Sequence, residues 1–413
     1  MKNNTNSLII ILIAMVFSAC GSQSDDSGLT FQVGFSSELS DQAQDGRLIL
    51  LISNNDDSEP RFQLSDGLNT QLGYGMDIED FKSIDRAVFD GSAFGYPIEN
   101  INNIPAGEYY VQAVLNRYET FNLSTGHTVK LPPDRGEGQQ WNRKPGNFYS
   151  TPQKVAITEE GGSFEVVMDQ VIPDIDEPED TEFIKHIKIR SERLSEFWGT
   201  DVYLGAHVLL PKGFEDHADV RYPLMVFHGH FPQDFGGFRT DPLDPNLEPD
   251  YRARFDVKGY NIIQQQEAYD FYRRWISFDI PRMLIIKIQH ANPYYDDSYA
   301  VNSANIGPYG DAITYELIPH IEKEFRGIGE GWARFLYGGS TGGWEALAAQ
   351  VMYPKEYNGC FAACPDPIDF RAYCAVNLYE DNIAYYYESD FKHTLTPCHG
   401  DYLCKVDASL RVM

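Results

Sequence analysis

The sequence predicts two folded regions, an all-β sandwich followed by an α/β region built on a mainly parallel sheet. From residue 29 to residue 168, short segments rich in β-branched and aromatic residues alternate with clusters of Asn, Asp, Gly and Pro, which is typical of strands and turns. From residue 183 onward, apolar segments alternate with segments of helical periodicity, which indicates parallel strands covered by helices. Residues 169–182 contain seven acidic residues and two prolines, and we interpret them as a linker.

The composition excludes some classes of protein. With 33 Lys and Arg against 61 Asp and Glu, the 413-residue chain has a formal net charge of −28, so we expect no nucleic-acid partner and no docking on anionic lipid through protein charge. A hydrophobic content of 42% is enough for a sizeable core. Nothing in the composition implies a cofactor.

The first 28 residues are typical of an exported protein. Residues 8–17 are ten apolar residues, too few to span a bilayer but suited to the core of a signal peptide. Ser18 and Ala19 before Cys20 resemble the bacterial lipobox, in which the peptide is cut before a cysteine that is then lipidated. We therefore predict a lipoprotein signal peptide at 1–19, a lipid on Cys20 and a polar tether at 20–28, with an ordinary secretory signal as the alternative. The expected location is the cell envelope, at the outer membrane or the periplasmic face.

The first region is predicted to consist of short strands at 47–53, 107–116, 127–131, 154–158 and 164–168. An exposed aromatic residue such as Trp141 could stack on a sugar, and a packing domain with core aromatics is the favoured alternative.

The second region is predicted to span residues 183–413. An antiparallel pair is expected at 184–190 and 203–211, followed by strands at 223–231, 283–290, 334–340 and 359–366 and helices at 311–325 and 341–353. Pro319 is expected to kink the first of these helices. Cys360 and Cys364 are about 13 Å apart along the last strand, too far for a disulfide, and are predicted to be buried thiols.

One motif in this region carries chemistry. Gly338, Ser340 and Gly342 form a G-x-S-x-G pattern between a predicted strand and a predicted helix, with a further glycine at Gly343. A sharp turn of this kind lifts a serine hydroxyl above the sheet, and the glycines remove side chains that would collide across the turn. The amino end of the following helix supplies N–H groups where negative charge develops in acyl transfer.

A second group of donors is expected from the loop after the strand at 223–231. An oxyanion hole in this arrangement takes one N–H from the residue after the nucleophile and one from that loop, so Thr341 and His230 are the candidates. His228 and His230 are also spaced as a metal-binding pair, but no further ligand cluster matches them and no metal is predicted.

These segments resemble the esterase D-like esterases of the α/β-hydrolase superfamily. The resemblance runs from about residue 184 to residue 369 and is carried by LLPKGFEDHADVRYPLMVFHGHF, ELIPHIEKEFR and FLYGGSTGGWEALAAQVMYP. It implies an α/β-hydrolase fold with Ser340 as the nucleophile and His230 and Thr341 as oxyanion donors. It also implies that residues 302–312 line a substrate pocket, with Asn305 and Tyr309 as candidates and a purely structural loop as the equal alternative.

The resemblance leaves the acid and the histidine of the expected triad open. The family order is Ser, then Asp or Glu, then His, and only 73 residues follow Ser340 (413 − 340 = 73). We favour a chain truncated relative to the family. The alternative is that the tail supplies a base, His399 or His393, and an acid chosen from Asp381, Asp390 and Asp401.

The sequence thus predicts an exported, lipid-anchored serine esterase acting on a small-molecule or glycan ester. Three alternatives remain: a non-catalytic surface-binding protein with a decayed hydrolase domain, a metal-dependent hydrolase at His228 and His230, and an acyltransferase using the same serine.

Overall fold

The computed structural model describes residues 28–65, 69–123, 126–229, 234–252, 256–289, 292–293, 297–372 and 377–381. The signal peptide, the lipidation site and several candidate residues of the sequence analysis lie outside these ranges: Cys20, His230, Asp390, His393, His399 and Asp401. No helix in the described ranges is long and apolar enough to cross a lipid bilayer.

The first region forms strands and short 3-10 helices in its described residues. Its strands are β1 Leu29–Phe35, β2 Gln44–Ser53, β3 Leu72–Phe81, β4 Ala87–Phe89, β5 Phe94–Tyr96, β6 Gly107–Arg117, β7 Glu119–Asn122, β8 Thr128–Leu131, β9 Phe148–Tyr149, β10 Gln153–Ile157, β11 Gly162–Met168 and β12 Gln170–Val171. One sheet has the order β11-β1-β4, and a larger one has the order β12-β9-β6-β2-β3-β5, with β10 also paired to β6. Strands β7 and β8 form a separate hairpin.

The two sheets share one hydrophobic core. Alternate residues of β1, such as Phe31 and Val33, pack in the same buried cluster as Leu48, Leu50 and Ile52 of β2. Because successive side chains of a strand point to opposite faces, this period of two places one face of each sheet in the shared core.

The opposite face of the larger sheet is also covered. The indole of Trp141 is only 9% exposed and packs with Ile49, Leu51 and Val114. Trp141 is therefore a core residue, as the favoured interpretation of the sequence has it, and the alternative that its ring is free to stack on a sugar does not hold.

The second region contains a six-stranded mixed sheet and helices. Its elements are β13 Ile184–Arg190, α1 Glu192–Trp198, β14 Tyr203–Leu209, β15 Leu224–His228, β16 Tyr251–Arg252, β17 Val257–Lys258, α2 Tyr260–Trp275, β18 Leu284–Gln289, β19 Asn302–Ser303, β20 Gly307–Pro308, α3 Tyr309–Ala312, α4 Ile318–Glu324, β21 Arg334–Gly339, α5 Thr341–Met352 and β22 Cys360–Ala363. The sheet order is β13-β14-β18-β15-β21-β22. Strands β18, β15, β21 and β22 are mutually parallel, whereas β13 pairs with β14, and β14 with β18, in the antiparallel sense.

Helices cover both faces of this sheet. Val226 of β15 packs in a core with Ala346 and Ala349 of α5. The neighbouring Met225 points the other way and packs with Trp275 of α2. Continuous apolar strands are required when both faces of a sheet are buried, which explains the sequence pattern from residue 183 onward.

The helical run that contains Pro319 has a wider turn just before the proline. Residues 309–324 form one helical run in which α3 and α4 are joined by a π-helical segment, Ile313–Leu317. A proline has no N–H to donate to the carbonyl four residues earlier, and its ring collides with that carbonyl. For Pro319 this carbonyl belongs to Tyr315, and the π-helical segment widens the turn that contains it.

The cysteines of β22 differ from the prediction. Cys360 and Cys364 are both free thiols, as their separation predicted, but Cys360 is only partly buried and Cys364 is exposed. β22 is the outermost strand of the described sheet, so its side chains have a described neighbouring strand on one side only. The prediction that both thiols are buried is wrong.

Candidate active site

Ser340 lies at a sharp bend between the end of β21 and the start of α5. Its backbone has φ 54° and ψ −124°, a conformation that costs an L-residue roughly 1–3 kcal/mol. Three main-chain hydrogen bonds hold it there: Ser340 N donates to Ala363 O at 3.0 Å, and its carbonyl accepts from Trp344 N at 3.1 Å and from Asp366 N at 3.3 Å. The hydroxyl-bearing residue is exposed at the amino end of the helix.

The glycines around Ser340 allow backbone segments to approach closely. A Cβ at Gly338 would lie 2.2 Å from the carbonyl oxygen of Gly342, and one at Gly342 would lie 2.1 Å from the carbonyl oxygen of His228. At Gly343 the nearest atom would be the carbonyl oxygen of Ala363, at 2.8 Å. Each position therefore excludes a side chain because a main-chain carbonyl already occupies its space.

One carboxylate accepts hydrogen bonds from both hydroxyl groups at the bend. Ser340 Oγ donates to Asp366 Oδ1 at 3.4 Å, and Thr341 Oγ1 donates to Asp366 Oδ2 at 2.9 Å. Asp366 follows β22, the strand that pairs with β21 in parallel. The sequence analysis used Asp366 only to mark the end of a strand and looked for the acid further on. Parallel pairing of the two strands puts their carboxyl ends at the same edge of the sheet, and this was the signal that could have identified it.

Thr341, the candidate oxyanion donor, lies at the amino end of α5. It is the first residue of α5, where N–H groups have no carbonyl partner within the helix and carry the positive end of its dipole. His230 lies outside the described residues. The end of β15 lies beside the bend, because His228 is paired with Gly338 of β21.

The two candidates for a substrate pocket lie in different surroundings. Asn305 is exposed, and its N–H donates to Ser303 Oγ at 3.1 Å. Tyr309 is fully buried in the core beside Leu317 and Ala346. The assignment of Tyr309 to a substrate pocket is therefore wrong, because its side chain is enclosed by packing. Asp381, a candidate acid in the tail, is exposed and accepts a hydrogen bond from Asn377 N.

Beneath the bend lies a group of buried polar residues that the sequence did not reveal. His228, Asp297 and Glu345 are each 0% exposed. Burial, followed by the charge of Asp297 and a hydrogen bond to it and then by the charge of Asp366, raises the pKa of Glu345 well above its usual value. The only sequence signal for this buried group was Glu345, a carboxylate within the apolar face of the helix predicted at 341–353.

His228 is buried beside a carboxylate. Its Nδ1 lies 3.6 Å from Glu345 Oε2, inside the protein. Within the part of the chain that the structure describes, no group of three or more His, Cys, Asp or Glu side chains is arranged to hold a metal ion. Two open depressions, of about 810 Å³ and 860 Å³, lie in the first region and beside α2, and neither is lined by Ser340, Thr341 or Asp366.

Comparisons with known proteins found neither a matching family model nor a matching curated protein. Among solved structures, the chain is similar to a ferulic acid esterase (18% identity, TM-score 0.31, 44% of this chain and 57% of that one). It is also similar to an S-formylglutathione hydrolase from Agrobacterium tumefaciens (12%, 0.30, 45% and 60%) and to an IroE-like serine hydrolase from Shewanella oneidensis (16%, 0.27, 55% and 70%). The chain spans about 57 to 63% of the length of the first three structural neighbours, which are two ferulic acid esterases and the S-formylglutathione hydrolase.

Proposed function

We propose that the protein is a serine hydrolase that cleaves carboxylic esters through an acyl-enzyme on Ser340. The observation that carries this proposal is the exposed hydroxyl of a residue held at φ 54° between a parallel strand and the amino end of a helix. A strained strand–turn–helix bend of this kind presents a nucleophile to a carbonyl carbon and places helix N–H groups beside the oxygen that becomes negative.

The chemistry follows from the positions of these groups. Ser340 Oγ attacks the ester carbonyl, the oxyanion is held by the N–H of Thr341, and the N–H of His230 is the proposed second donor. Collapse of the tetrahedral intermediate expels the alcohol and leaves the acyl group on Ser340. Water then hydrolyses the acyl-enzyme through the same oxyanion site.

The serine proton needs an acceptor. In the described residues the Ser340 hydroxyl donates to Asp366, and a carboxylate is a weaker base than an imidazole for this task. We therefore assign Asp366 the orientation of the Ser340 hydroxyl and propose His399 as the base that takes the proton and returns it to the leaving alcohol.

Export and anchoring complete the proposal. The apolar segment at 8–17 and Cys20 support a protein held at the cell envelope by an amino-terminal lipid. Growth with labelled palmitate tests this: label is expected in the wild-type protein and absent from Cys20→Ala, whereas equal label in both variants excludes Cys20 as the acceptor.

The second candidate is a non-catalytic surface-binding protein. It is favoured by the hydrogen bond of Ser340 to a carboxylate instead of an imidazole in the described residues. A fluorophosphonate probe separates the two functions, because only an activated serine reacts quickly. Labelling of the wild type at Ser340, absent from Ser340→Ala and retained in Ser277→Ala, a control that removes a partly exposed serine elsewhere, supports the hydrolase. No labelling of the wild type supports the binding protein.

Acyl transfer uses the same intermediate as hydrolysis. Adding an alcohol to a p-nitrophenyl acetate assay distinguishes them, because a transferase partitions the acyl group to the alcohol while a hydrolase gives acetate.

A further inference from the structure

Glu345 lies on α5 one turn after Thr341, and its carboxyl group is enclosed by three other chain segments. It is hydrogen-bonded to Asp297 and feels the charge of Asp366, and one of its oxygens lies 3.6 Å from Nδ1 of His228. These contacts bring together α5, the segment after β18, the end of β15 and the residues after β22. Glu345 therefore lies where these four segments meet near the bend at Ser340.

The two carboxyl groups share one proton. Two buried carboxylates in contact repel each other, and removing both charges from water is costly, so one of the pair holds a proton. Burial, the charge of Asp297 and the hydrogen bond to it all raise the pKa of Glu345 well above its usual value. These causes favour the protonated form of Glu345, which can donate a hydrogen bond to the carboxylate of Asp297.

Asp297 in turn holds a strained loop. Its Oδ1 accepts the N–H of Tyr299 at 2.8 Å, and the next turn is fixed by Ala300 N donating to Ser298 Oγ at 3.2 Å. Tyr299 and Ala300 both have a left-handed backbone, with φ 53° and φ 51°. The ring of Tyr299 contacts that of Trp344 edge-on, with centroids 6.0 Å apart, in the first turn of α5.

We propose that Glu345 is a positioning residue for the reaction at Ser340. Its protonated carboxyl ties the loop 297–300 to α5 and keeps an additional negative charge away from the oxyanion site. This role rests on the proposed function. An ionised Glu345, one helical turn from the Thr341 N–H, would oppose the negative charge that develops there, and the effect is strong because the surroundings contain little water.

The experiment measures the rate of fluorophosphonate labelling of Ser340 per folded molecule, with the folded fraction checked by circular dichroism from about pH 7 to pH 10. The variants are Glu345→Gln, which donates a hydrogen bond but cannot ionise, and Glu345→Leu, which has a similar size and no donor. Glu324→Gln, an exposed carboxyl paired with His320 on α4, is the control for removing an acidic group elsewhere.

The expected result has three parts. The wild-type rate falls about tenfold toward the alkaline end as Glu345 loses its proton, and Glu324→Gln shows the same fall. Glu345→Gln labels within about threefold of the wild type at pH 7 and lacks this decline. Folded Glu345→Leu labels at least about tenfold more slowly, because Asp297 has lost the donor that Glu345 supplied.

Three results overturn the role of Glu345: a wild-type rate that stays flat to pH 10, the same decline in Glu345→Gln, or a wild-type rate in folded Glu345→Leu. If Glu345→Leu does not fold, the pH comparison of the wild type with Glu345→Gln decides the question by itself. A wild-type protein that is not labelled at any pH refutes the proposed function and the positioning role with it, and this result differs from the other three.

Discussion

The hydroxyl of Ser340 lies 3.4 Å from one carboxylate oxygen of Asp366, and the hydroxyl of the adjacent Thr341 lies 2.9 Å from the other. The carboxylate thus joins the strained bend to the residues that follow β22. It can orient the Ser340 hydroxyl and fix the first residue of α5, whose N–H is the proposed oxyanion donor.

Removing the Asp366 carboxylate is expected to lower the reactivity of the Ser340 hydroxyl. In Asp366→Ala, both hydroxyl groups lose their acceptor, and we expect the fluorophosphonate labelling rate of Ser340 to fall about tenfold or more. Asp369→Ala is the control. Asp369 lies three residues after Asp366 in the sequence, and its exposed carboxylate pairs with Arg371. An unchanged or faster rate in Asp366→Ala would show that Asp366 does not assist Ser340.

The glycine at position 342 is expected to be required for folding of the bend. A methyl group there would meet the carbonyl of His228 at 2.1 Å, so Gly342→Ala must move β15 away from α5, at a cost of about 1–3 kcal/mol or more in the free energy of unfolding. Gly237→Ala is the matched control, because its Cβ would have no heavy atom within 4 Å. Urea denaturation measures the free energy of unfolding of both variants. Equal values would contradict the close approach of the His228 carbonyl to Gly342.

The ion pair between Arg334 and Glu322 is expected to matter for stability. Both residues are 5% exposed, and the guanidinium makes two hydrogen bonds, of 2.8 and 2.7 Å, to the carboxylate. Glu322→Ala leaves a buried cation with only Glu356 beside it and should reduce the free energy of unfolding by about 3–5 kcal/mol. Asp201→Ala removes an exposed partner of Arg190 and should leave the urea midpoint unchanged. Similar shifts of the urea midpoint in the two variants would show that the buried ion pair contributes no more stability than the exposed one.

The first region should become more stable as the pH rises above 7. Lys144 is 2% exposed and its Nζ donates to the carbonyl of Arg117 at 2.7 Å, while burial lowers its pKa from 10.5 to about 7. Between these two values the unfolded chain binds a proton that the folded chain does not, so the free energy of unfolding increases with pH, by about 2–4 kcal/mol in total.

Denaturation curves at about pH 7 and pH 9.5 test this prediction for Lys144. Lys144→Met should lack the increase that Lys144 contributes in the wild type, whereas Lys154→Met, which removes an exposed lysine paired with Glu108, should retain it. An equal pH dependence in the wild type and Lys144→Met would show that Lys144 is charged in the folded protein at neutral pH.

Local patterns in the sequence predicted those features that depend on neighbours in the chain. The pairing of 184–190 with 203–211, the strand and helix on either side of Ser340 and the need for glycine at position 342 all follow from backbone conformations that a few adjacent residues specify. An irregularity near Pro319 was expected for the same reason, and the structure has a π-helical segment there instead of regular α-helix.

The errors and omissions concern burial and contacts between distant segments. Trp141 and Tyr309 are residue types that often bind ligands, but both side chains are enclosed by packing. Burial of this kind cannot be recognised from a local sequence pattern. Asp366 reaches Ser340 from 26 residues away because two parallel strands end at one edge of the sheet. The sequence by itself determined where the chain bends and which hydroxyl stands at the bend. The tertiary structure decided which carboxyl groups lie near that hydroxyl and which of them have a raised pKa, because proximity and exclusion of water arise only when distant segments pack together.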